Sequence, residues 1–134
     1  MEIIDGKDAV LGRLATVAAK QLIRGESITV VNAEKIIITG LPNKIISDYL
    51  KKRRIGSPQH GPFYPKKPDL IVRRTIRGML PKTKKGRASF KRLRVHISVP
   101  KGLKEKEIKK METRDVKINF IYLETLSKAL GWKE

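Results

Sequence analysis

The chain has 134 residues and no cysteine, and its 31 Lys and Arg against 13 Asp and Glu give a formal net charge of +18. That length fits one domain able to bury a core unaided, and the lack of cysteine excludes disulfide frameworks, thiolate metal sites and cysteine nucleophiles. No apolar run approaches the roughly 18 residues of a membrane span, and MEIIDGKD has no secretory pattern, so a soluble cytoplasmic protein is expected.

Ile3 and Ile4, ahead of Asp5 and Gly6, predict a short strand. Val10 to Arg24 predicts an amphipathic helix with Leu11, Leu14, Ala15, Ala18 and Leu22 on one face, Asp8 as its N-cap and Gly25 just past its end. Ile28, Val30 and Val31 form one β-branched run around Thr29, and Ile36 to Ile38 form another. Their near-continuous apolarity favours a parallel sheet covered on both faces. A second helix is expected over Leu41 to Lys52, with Pro42 in its first turn and Ile45, Ile46, Tyr49 and Leu50 facing inward. Residues 55–68, IGSPQHGPFYPKKP, hold four of the seven prolines and read as a loop or extended arm.

A third helix is predicted from Asp69 to about Met79. Val72, Ile76, Met79 and Leu80 form its apolar stripe, and Arg73, Arg74 and Arg77 lie together on another face. After the polar stretch PKTKKGR come a short helix over Ala88 to Leu93 and a strand over Arg94 to Ser98, in which Val95 and Ile97 alternate. In the mixed-charge stretch 101–117 the Glu105/Lys109 pair at i, i+4 suggests local helix. Val116, Ile118 and Phe120 alternate, and Ile121 to Leu130 predicts a closing helix. This rhythm fits a three-layer α/β domain with a parallel core.

The charge is not spread evenly. Residues 1–43 sum to zero and residues 95–134 to +3, whereas residues 44–94 carry nine Lys and eight Arg against only Asp48 and Asp69, a net +15. A compact chain so charged repels itself, so a polyanionic partner is the economical explanation, nucleic acid before an anionic membrane. A merely solvated face would mix signs.

Catalytic and cofactor patterns are missing: there is no GxxxxGK[ST], GxGxxG, HExxH or GxSxG. His60 and His96 stand 36 positions apart without ligand-like spacing. Asp48 and Asp69 alone do not supply the converging carboxylates of a two-metal phosphodiesterase. The expectation is therefore a non-enzyme with no metal, cofactor or small-molecule substrate. His60 in the proline-rich loop either stacks on RNA or is solvated, and His96 in a strand pattern is either packed or phosphate-facing.

The candidate RNA-binding residues come from the basic block. Lys51, Lys52, Arg53 and Arg54 end the second helix, where its dipole accounts for one or two cations but not four. Arg73, Arg74 and Arg77 can present planar forks to phosphates. The stretch after Pro81 adds Lys82, Lys84, Lys85 and Arg87, with Gly86 expected to let the backbone approach a ligand closely. Lys66, Lys67, Lys91, Arg92 and Arg94 complete the set. Only Phe63, Tyr64 and Phe90 add aromatics beyond the helical Tyr49, too few for a platform of stacked bases. With no DNA-reading motif, recognition of folded RNA by shape and backbone is the best fit.

The segments IDGKDAVLGRLATVAAKQL at 4–22, ITVVNAEKIIITG at 28–40, RRTIRGMLPKTKKGRASFKRLRV at 73–95 and LSKALGWK at 126–133 resemble the universal L-thirteen family of large-subunit ribosomal proteins. The loop GPFYPKKPDLIVRRTIRGMLP is similar to the archaeal and eukaryotic branch. The resemblance spans the whole chain and implies an α/β/α domain around a four-stranded parallel sheet, with basic loop and helix insertions. It also implies large-subunit rRNA and neighbouring ribosomal proteins as partners, a role in subunit assembly and translation, and no catalysis. By the same resemblance Arg77, Gly78, Met79, Leu80 and Pro81, with Lys84, Lys85, Gly86 and Arg87, form an RNA-facing corner. The Gly12–Arg13 pair is present too, with Arg13 either a salt bridge or a phosphate contact. A second role open to the same surface is binding messenger RNA off the ribosome and repressing its translation.

Overall fold

The structure, a computed structural model, describes residues 2–54, 65–103, 108–110 and 119–133, with the side chains of Arg53, Arg54, Leu103, Lys109 and Lys110 left out. It is a mixed α/β fold. In chain order the elements are β1 (Glu2–Asp5), α1 (Leu11–Ile23), β2 (Ile28–Val31), a 3-10 turn (Ala33–Lys35), β3 (Ile37–Thr39) and α2 (Pro42–Arg54). There follow α3 (Pro68–Met79), α4 (Lys84–Lys91), β4 (Leu93–Val95), a second 3-10 turn (Lys101–Leu103), β5 (Lys109–Lys110), β6 (Phe120–Tyr122) and α5 (Leu123–Ala129).

Three strands in the order β4-β2-β1 form a parallel sheet, with Ile4 opposite Val30 and Val30 opposite Val95. The two-residue β5 pairs parallel to the outer edge of β1, along Ile4 and Asp5. On one sheet face Ile4, Ile28, Val30, Leu93 and Val95 join Leu14, Ala18 and Leu22 of α1 and Val72 and Ile76 of α3 in a continuous core. Each fully buried Leu or Ile there contributes roughly 1.5–3 kcal/mol by leaving water. At the carboxyl ends of the strands, Asn32 Nδ2 donates to Asp5 Oδ1 at 2.9 Å, and the Ser98 N–H donates to Glu34 Oε2 at 2.9 Å. Glu34 is 7% exposed, and the Ser98 N–H and hydroxyl supply the hydrogen bonds that a buried carboxylate needs.

The first helix keeps its predicted face, and Gly25 at φ +98 ends it as expected. Asp8, however, is not its cap. The capping position is Val10, with no side-chain bond, and Asp8 sits earlier at φ +59, accepting the Tyr122 hydroxyl at 3.1 Å. That hydrogen bond, aided by partial desolvation and the Asp8 charge, raises the Tyr122 phenol above its ordinary value.

The second apolar run does not join the parallel sheet. Asn32 adopts a left-handed conformation at φ +56, the 3-10 turn redirects the chain, and β3 pairs antiparallel with β6 instead. Its apolarity reflects burial from the other direction, since Ile36 is held by the Leu123 N–H and Ile37 by the Ala9 carbonyl. Ile121 and Tyr122 thus belong to a strand, and the closing helix starts at Leu123.

Four further expectations shift. Met79 is 42% exposed, so Leu80 and not Met79 completes the buried stripe of α3 with Val72 and Ile76. The short helix begins at Lys84 because Thr83 caps it, its hydroxyl accepting the Gly86 N–H at 3.4 Å, and it ends at Lys91 so that Leu93 opens β4. That strand stops at Val95, before Ile97. Lys109 is in strand β5 rather than a helix, while Glu105, Val116 and Ile118 lie outside the described residues.

Candidate nucleic-acid interface

The geometry of the basic surface begins with how α3 stops. Leu80 is extended and only 5% exposed, a buried anchor that ends α3, and Pro81 follows with no N–H to continue it. Two residues later Thr83 starts α4. The two basic helices therefore meet at a tight corner, and each packs against α1.

Between them lies an open cleft of about 770 Å³ lined by Arg74, Arg77, Gly78, Leu80, Pro81, Lys82, Gly86, Arg87, Phe90 and Lys91. Arg74, Arg77, Lys82, Arg87 and Lys91 are cations, and no carboxylate is among the lining residues. A smaller cleft of about 210 Å³ shares Arg74 and Gly78 and reaches Lys52, Tyr49, Pro65, Ile71 and Thr75. The basic surface is thus continuous from the end of α2 to α4. At that end Lys52 lies 5.2 Å over the Tyr49 ring.

Lys84 and Lys85 are exposed in the first turn of α4, where no acidic residue accompanies them. Cations there oppose the helix dipole, a local cost that a bound anion would offset. Arg13 is exposed on α1, and no ion pair joins it to another described residue. Lys51 and Lys67 are exposed, and Lys66 runs beside Gly131 at the end of α5. Arg53 and Arg54 fall in the last turn of α2. His60 lies outside the described residues.

Three candidates have internal duties. The Arg92 guanidinium donates to Leu22 O at 2.6 Å and to Ser89 Oγ at 3.1 Å, so it satisfies a terminal carbonyl of α1 instead of facing outward. Arg73 is half-buried, its guanidinium 5.0 Å over the Phe90 ring. A Cβ at Gly86 would stand 1.8 Å from Pro81 O, so this glycine permits α4 to approach its own corner and not a ligand. Arg94 is exposed but shares a sheet face with Thr29, opposite the face on which α3 packs. His96 is half-buried, and its N–H donates to Val30 O at 2.8 Å, extending the β4–β2 ladder.

Tyr49, Pro65 and Thr75 line the smaller cleft and Phe90 the larger one, and none of them carries a charge that would mark it among the basic residues. Helical phase carried the signal, because Phe90 is three residues after Arg87 and four after Gly86. Among the described residues no three His, Asp or Glu side chains converge as metal ligands. No described helix is long and apolar enough to cross a membrane.

Residues 1–102 match the protein family described as Ribosomal protein L13. The chain is 46% identical to the large ribosomal subunit protein uL13 of Methanopyrus kandleri over 138 residues, covering 98% of this chain and 87% of that one. It is 46% identical to the uL13 of Methanocaldococcus jannaschii over 140 residues, covering 99% of each. With the uL13 of Thermoplasma volcanium the identity is 42% over 134 residues and the coverage 98% of each.

Proposed function

Since this chain belongs to the ribosomal protein L13 family, we propose that it is a structural constituent of the large ribosomal subunit that binds rRNA and supports subunit assembly and translation. It is a ribosomal protein and not an enzyme. The observation that carries the RNA reading is the cleft between α3 and α4, where five cations converge without a carboxylate. Phosphates would be gripped by Arg74, Arg77, Lys82, Arg87 and Lys91, with Lys84 and Lys85 at the rim. Arg13, Lys51, Lys52, Arg53, Arg54, His60, Lys66 and Lys67 would extend the contact along the same chain of basic elements. Large-subunit rRNA and neighbouring ribosomal proteins are its partners, in the cytoplasmic ribosome.

The chain acts as one domain, 1–134, with its RNA-binding block at 44–94. Its full architecture is three-layered with four parallel strands. Supporting this, Ile3 and Thr29 are 3% and 2% exposed on the sheet face away from α1 and α3, so that face is covered as well. The β5 pairing along β1 supplies the fourth strand.

Sedimentation of a cell lysate tests the function. The protein should travel with the large subunit at moderate salt and strip off at high salt, whereas migration as a free small protein at moderate salt would sink the proposal.

A further inference from the structure

We propose that the larger cleft holds one unpaired nucleotide of the bound RNA, with its base on an apolar floor of Leu80, Pro81 and Phe90 and its flanking phosphates on the cationic rim. This rests on the RNA-binding reading above and goes further by assigning the hollow a ligand. A grip on phosphates needs only cations on an open surface. It gives no use to a concave floor built from a leucine, a proline and an aromatic ring. Such a floor gains free energy only from a partner with an apolar face.

The volume of about 770 Å³ lies within the roughly 300–1,000 Å³ of small-ligand sites, enough for a base and its ribose. Phe90 lines the cleft and Arg73 does not, although Arg73 sits 5.0 Å over that ring. The cleft therefore reaches the ring from a side Arg73 leaves uncovered, and the guanidinium holds the ring in place, so little side-chain freedom is lost on stacking. At Gly78 a Cβ would meet nothing within 4 Å, which leaves the wall open toward the smaller cleft that shares Gly78 and Arg74. The strand can continue that way toward Lys52.

A paired base offers no such face, because in an A-form helix both of its faces are stacked against its neighbours. A peptide side chain would fill the floor but would bring no counter-charge to Arg77, Lys82, Arg87 and Lys91. A nucleotide brings a phosphate on each side of its base.

Binding of the full chain to a nine-nucleotide oligoadenylate, and to the same oligomer with an abasic ribose at its centre, tests this by fluorescence anisotropy at constant salt. The intact oligomer should bind roughly 5- to 150-fold more tightly, the range expected of one stacked base. Phe90→Leu should abolish that difference while leaving abasic binding and its salt slope unchanged. Gly78→Leu, which fills the cleft from an exposed helix position, should likewise abolish the difference between the two oligomers. If wild-type protein binds the two oligomers equally while still binding large-subunit rRNA, the cleft reads phosphates alone and the inference is overturned. If it binds neither the oligomers nor rRNA, the RNA-binding reading itself fails and this inference falls with it.

Discussion

Gly78 and Gly86 stand eight residues apart on neighbouring helices, and their surroundings are opposite. At Gly86 an added Cβ meets backbone, the Pro81 carbonyl oxygen and carbon at 1.8 and 2.8 Å, and backbone on a packed corner yields poorly. Gly86→Ala should cost about 1–3 kcal/mol through overpacking, seen as a Tm lowered by several degrees in thermal melts. At Gly78 the same addition meets open space, so Gly78→Ala should raise stability by up to about 1 kcal/mol, the ordinary cost of glycine in a helix. Two arginines show the same division of labour. Arg92→Ala removes the bonds to Leu22 O and Ser89 Oγ and should cost about 1–2 kcal/mol of stability with no change in the salt slope of RNA binding. Arg77→Ala should leave the melt within about 0.5 kcal/mol and reduce that slope by about one. Finding both effects in the wrong variants would show the assignment of inner and outer arginines to be reversed.

Among the elements, the corner between α3 and α4 decides whether the basic residues act together. Arg73 over Phe90 joins the two helices directly, so a double-mutant cycle of Arg73→Ala and Phe90→Leu should give a coupling of about 0.5–1 kcal/mol in urea unfolding. Additive behaviour would mean that the contact contributes nothing. A triple replacement of Arg73, Arg74 and Arg77 would therefore mix two effects, loosening the corner as well as weakening the grip on RNA. Elsewhere the Asp8–Tyr122 bond adds a link between β6 and the loop after β1.

For the whole molecule, salt has opposite effects on the free protein and on its complex. The net +18, concentrated as +15 within residues 44–94, repels itself when no RNA is present. Adding salt screens that repulsion, so the Tm of the RNA-free protein should rise between about 50 and 200 mM salt. Binding should weaken over the same range, by roughly 10³–10⁵ if about 6–10 phosphates are neutralised as on duplex DNA. A Tm that falls with salt, or an affinity that ignores it, would contradict the picture of one concentrated positive face built to meet a polyanion.

How much of this was legible in the residues follows from which forces are local. Helical periodicity placed α1, α2 and α3 within a few residues, because an apolar stripe at that spacing is written along the chain itself. The concentration of charge in the middle third, and with it the expectation of RNA, also needed no coordinates. What pairs with Ile36 to Ile38 did not follow from the run, since apolarity reports burial and not the identity or direction of the neighbouring strand. The internal duties of Arg92, Arg73 and Gly86 were equally hidden, because each depends on a partner brought near by folding: a carbonyl 70 residues away, a ring on the next helix, a proline oxygen at the corner. The sequence alone determined the first three helices and the basic block, and with it the expectation of a polyanionic partner. Only the tertiary structure decided which cations line one cleft and which hold the fold together, because hydrogen bonds and close approach are made between residues far apart in the chain.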